Sequence, residues 1–147
     1  MWTNYLCSSG TYLPTFPLSY LPTNPLMEQY MAFAERFEDL EIWREARRLA
    51  GLIYIKFREC KDFGFRKQIQ DAAVSAMNNI AEGFERRSRI EFCRFLDIAK
   101  GSSGEVRSML YLAQDIEYLP RDQAHHLIAD YESLSKRISS LMCKLKK

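Results

Sequence analysis

Ser75, Asn79, Glu82 and Arg86 are separated by 4, 3 and 4 residues, a spacing that puts all four on one face of a helix. Two chemistries are open to that stripe. Glu82 with Glu105 could serve as a general acid and base. Alternatively Ser75, Asn79, Glu82, Ser102 and Glu105 could form a hydrogen-bonded network that fixes helix register or a subunit seam. Catalysis needs a nucleophile and an oxyanion donor beside the carboxylates, and no such set accompanies them. The network is the expectation, and no enzymatic activity is expected.

Three further groups invite a chemical reading. Gly101-Ser102-Ser103-Gly104 could cradle a phosphate, but a phosphate loop follows a strand and opens a helix, and the flanking sequence offers neither. His125-His126 could be a metal pair, but adjacent helical residues point about 100° apart and no carboxylate stands at ligand spacing, so no metal or other cofactor is expected. The basic residues form three clusters: Arg44, Arg47 and Arg48; Arg86, Arg87 and Arg89; Lys144, Lys146 and Lys147. Each alone is an ordinary solvated surface. Brought together, they become candidate nucleic-acid contacts, because each neutralised phosphate adds to binding.

Composition limits what must hold these groups. The chain has 147 residues, enough for one domain with a real core, and 47% hydrophobic with 27% charged residues is an ordinary soluble balance. A net charge of +2 is too small to demand an anionic partner. The four cysteines (Cys7, Cys60, Cys93, Cys143) form no C-x-x-C pair, so free thiols in a reducing cytoplasm are expected. No run of about 18 apolar residues is present to span a membrane. Four of the five prolines precede residue 26 and no Lys or Arg precedes Arg36. Residues 1–35 therefore read as an N-terminal tail, disordered or the product of an upstream start, and 36–147 as the folded body.

Helical spacing dominates that body. Ile42, Trp43, Ala46, Leu49, Ala50, Ile53 and Phe57 lie on one face, as do Phe65, Ile69, Ala73, Ala76 and Ile80, and again Leu127, Tyr131, Leu134, Ile138, Leu141 and Leu145. Phe92, Phe95, Ala99, Ser102, Val106, Met109, Ala113 and Ile116 keep the register straight through Gly101–Gly104. The glycine-serine stretch is thus a helix interior, with close packing of a neighbouring helix as the compensation for its two glycines. Helices are expected over 38–60, 65–85, 89–118 and 121–145, with Ser88 and Asp122 as start signals. Short connections make them an all-α, antiparallel up-down-up-down four-helix bundle.

RFEDLEIWREA (36–46), QIQDAAVSAMNNIAEGFERRS (68–88) and EFCRFLDIAKGSSGE (91–105) resemble the bacterial family of the 23S rRNA intervening-sequence protein. The departure is Ala76-Met77, where that family often carries Ile-Pro. The resemblance implies a homopentamer of small bundles without enzymatic activity. The family is similar to the accessory variability determinant of diversity-generating retroelements, which implies RNA or DNA and a reverse transcriptase as partners. A self-assembling protein-interaction module without nucleic-acid affinity is the alternative.

Overall fold

The computed structural model describes residues 34–86 and 88–146. One 3-10 turn, Phe37–Asp39, leads into four helices: α1 (Glu41–Phe57), α2 (Phe63–Glu85), α3 (Arg89–Asp115) and α4 (Arg121–Leu145). No strand occurs among the described residues. The protein is an all-α four-helix bundle.

The helices pack in chain order, α1 on α2, α2 on α3 and α3 on α4, and α1 closes the ring against α4. Each contributes the apolar face that its spacing requires. Leu49, Ile53 and Phe57, then Ile69 and Ile80, then Leu96, Val106 and Leu110, then Tyr131, Leu134 and Ile138 are all fully buried. Burying each such side chain contributes about 1.5–3 kcal/mol. Ala34 is also part of this core, so the body begins at least two residues before the expected boundary at 36. Residues 1–33 of the expected tail lie outside the described residues.

The helix ends have local chemical causes. The Asp62 carboxylate accepts from the Phe65 amide at 3.0 Å, capping α2. Arg66 donates to the carbonyls of Arg58 and Cys60, closing the end of α1. Ser88 caps α3 as expected, accepting from Glu91 at 3.5 Å. At the start of α4 the capping position is Pro120, with no side-chain cap, and Asp122 sits in the first turn. α3 stops at Asp115 rather than 118, because Glu117 turns left-handed with φ 59°. The Tyr118 amide then reaches back to the Ala113 carbonyl at 2.8 Å and the Glu117 amide to Gln114 at 3.3 Å. That pair of bonds is a Schellman motif, with glutamate where glycine is usual.

Residues 101–104 are helical, as the unbroken register requires. The source of close packing differs from the expectation. A Cβ added at Gly101 or Gly104 would meet nothing within 4 Å. Ser102 and Ser103 are the buried residues of that stretch. The tight glycine is Gly83 of α2, where an added Cβ would fall 2.5 Å from the Phe95 Cβ and 3.0 Å from Phe92 Cδ2 of α3. Small residues do bring α2 and α3 together, but through Gly83 and the serines.

Candidate nucleic-acid interface

Antiparallel succession decides where the basic clusters fall. The start of α1, the α2–α3 junction and the end of α4 all lie at one end of the bundle. Arg44, Arg86, Arg89, Lys144 and Lys146 therefore share an end, although they are far apart in sequence. Arg47 and Arg48 stand about one helical turn further along α1. Arg87 and Lys147 lie outside the described residues.

These cations differ in how free they are. Arg44, Arg89, Lys144 and Lys146 make no side-chain ion pair or hydrogen bond among the described residues. Arg86 is held by Glu82 at 2.5 Å and lies over the Phe95 ring, 5.3 Å from its centroid. Arg47 sits over the Trp43 ring at 5.6 Å. Arg48 is engaged twice, by Glu45 at 2.7 Å and by Asp130 of α4 at 2.8 Å. Those hydrogen bonds, Glu45 first, raise the Arg48 pKa further, and Arg48 in turn lowers that of Glu45. Arg48 thus fastens α1 to α4, and of the described basic candidates it is the least available to a phosphate.

The polar network is smaller than expected. Ser75 and Ser102 share a hydrogen bond of 2.8 Å between α2 and α3. Asn79 donates to the Ser75 carbonyl at 2.8 Å and to its hydroxyl at 3.1 Å, and Ser102 bonds back to Ile98. Glu82 belongs instead to Arg86. Glu105 lines a shallow groove of about 370 Å³ with Gly64, Gln68, Asp71 and Ser75. The two glutamates lie on opposite sides of the Ser75–Ser102 contact, about 15 Å apart by helical rise, too far to act as one acid–base pair. Sequence spacing placed all five residues beside the α2–α3 seam but could not tell which side chains would meet.

His125 and His126 are exposed, and His126 Nδ1 lies 2.7 Å from the Asp122 carbonyl within its own helix. Among the described residues no cluster of His, Cys, Asp or Glu could hold a metal ion. Cys60, Cys93 and Cys143 are free thiols. No described helix is long and apolar enough to cross a membrane.

A protein of unknown function from the S23 ribosomal protein family of Bacteroides thetaiotaomicron has a similar structure. It is 28% identical with a TM-score of 0.62, over 69% of this chain and 97% of that one. No curated protein matches the chain. The model of the 23S rRNA-intervening sequence protein family matches residues 38–140, which cover most of the 3-10 turn, all of α1 to α3 and most of α4. With more than two thirds of its length matched, and the bundle that the match requires, the chain belongs to the 23S rRNA-intervening sequence protein family.

Proposed function

We propose that this protein is a non-enzymatic, homopentameric nucleic-acid-binding adaptor of the cytoplasm that serves RNA or DNA and a reverse transcriptase, as the resemblance to the retroelement accessory protein implies. The observation that carries the reading is the gathering of Arg44, Arg86, Arg89, Lys144 and Lys146 at one end of the bundle. One such end presents few charges. Closed rotational symmetry would repeat it around a ring, and one anionic polymer could touch several copies.

The test is the Arg86→Glu/Arg87→Glu/Arg89→Glu variant, with native mass spectrometry for assembly and filter binding for RNA and DNA. The expected result is an unchanged oligomer that has lost nucleic-acid affinity. An unmodified protein that ignores both polymers at low salt would overturn the adaptor reading. A self-assembling protein-interaction module would then take its place, a role for which Ile90, Ile98 and Leu112, exposed on α3, are suited.

A further inference from the structure

The outer face of α1 carries a pattern that starts at the basic bundle end with Arg44 and runs on along the helix. Arg44, Arg47, Gly51, Tyr54 and Arg58 are separated by 3, 4, 3 and 4 residues and are all exposed. They form one line turned away from the buried face of α1 and spanning about 21 Å. No acidic residue lies on that line. The nearest acids of α1 are occupied, Glu41 by Arg137 and Glu45 by Arg48. Arg58 shares Glu59 at 3.4 Å, with both side chains largely in solvent.

Two features separate this line from an ordinary charged helix face. Tyr54 is 47% exposed, an aromatic ring in water between cations where a lysine or glutamate would be usual. Gly51, one turn before it, leaves open space where any other residue would place a side chain. It costs the helix about 1 kcal/mol against alanine without the close intrachain packing that explains Gly83. A flat ring, a gap beside it and arginines on either side match a polyanion with free planar faces.

We propose that this face of α1 binds single-stranded nucleic acid, with Tyr54 as a base-stacking platform and Arg44, Arg47 and Arg58 as phosphate contacts. A duplex keeps its bases stacked inside, so an exposed tyrosine offers it little. A single strand presents its bases, and stacking on an aromatic ring tolerates any sequence. Arg47 lies over Trp43 at 5.6 Å, which limits its freedom before any strand arrives. Lys67 of α2 is paired with Asp71, which raises its pKa and occupies its charge, so the α1 arginines carry the phosphate contacts. This inference rests on the nucleic-acid-binding reading and extends the contact from the bundle end, shared through Arg44, along the outer face of α1.

The experiment measures fluorescence anisotropy of a labelled 12-nucleotide oligouridine and a labelled 12-base-pair RNA duplex with the full-length protein. Tyr54→Ala is expected to weaken oligouridine binding roughly tenfold, the loss of one stacked base, and to leave the duplex unaffected. Tyr54→Phe, which keeps the ring, should bind like the unmodified protein. Arg44→Glu/Arg47→Glu should weaken the single strand at least as much as Tyr54→Ala does. Circular dichroism melting confirms that each variant is folded. Oligouridine binding that ignores Tyr54 and the α1 arginines overturns this inference while leaving the adaptor reading intact. Equal displacement by polyglutamate overturns it in favour of an acidic protein partner. Absence of binding to either RNA by the unmodified protein overturns this inference, and absence of DNA binding as well removes the adaptor reading with it.

Discussion

Two glycines of the same type meet opposite environments. At Gly83 an alanine methyl would fall 2.5 Å from the Phe95 Cβ, an atom fixed to the α3 backbone. Gly83→Ala is therefore expected to destabilise the fold by about 1–3 kcal/mol, the usual cost of overpacking, measured as a lower midpoint of urea unfolding. Gly101→Ala or Gly104→Ala meets open space within the chain and should raise stability by up to about 1 kcal/mol through helix propensity. A destabilising alanine at 101 would indicate that another copy packs there. Tyr131 presents a different residue-scale cost. It is fully buried, and its hydroxyl has no hydrogen-bond partner among the described residues. Burial raises its pKa, with Arg48 opposing weakly. Because the folded pKa lies above the ordinary tyrosine value of about 10, the contribution of the neutral group is complete below that pH. It is lost as pH rises from there toward the folded value. Tyr131→Phe should match or exceed the unmodified stability at neutral pH and lose less of it above pH 10, as read by thermal melts across that range.

At the scale of elements, helical spacing in the sequence was enough to establish four helices and their buried faces, because Ile53, Ile69, Val106 and Ile138 each recur at three or four residues from other apolar positions. The ends were less legible. Arg58 and Glu59 continue the composition of α1 beyond its last turn, and Glu117 gives no sign of a left-handed residue, so α3 extended too far on paper. Contacts between helices were the least legible. Ser75, Asn79 and Ser102 meet while Glu82 and Glu105 do not, since rotation and rise in the packed pair decide contact and a single helix period contains neither. The Schellman turn offers an element-scale test. A non-glycine residue in the left-handed region costs about 1–2 kcal/mol, and glycine loses part of that advantage to chain entropy. Glu117→Gly should still raise the melting temperature by a few degrees, and a drop would show that the Glu117 side chain holds the turn.

For the molecule as a whole, the decisive quantity is how many cations one end can offer. Net charge is only +2, so binding of a polyanion must come from local sorting of charge, not from the overall field. One subunit's end brings Arg44, Arg86, Arg89, Lys144 and Lys146, with Arg87 and Lys147 adjoining in sequence. Each neutralised duplex phosphate contributes about −0.9 to the slope of log affinity against log salt. Even with all seven engaged, one subunit is limited to a slope of roughly −6, and Glu82 reduces what Arg86 can give. A ring that presents several copies to one duplex is expected to exceed that limit. The measurement is filter binding of a 40-base-pair duplex from about 50 to 300 mM salt, paired with native mass spectrometry under the same conditions. A slope steeper than about −6 that relaxes when dilution separates the subunits would tie affinity to assembly. A slope of about −3 that persists in the intact oligomer would mean that its basic ends do not face one polymer together, whatever the affinity of each alone.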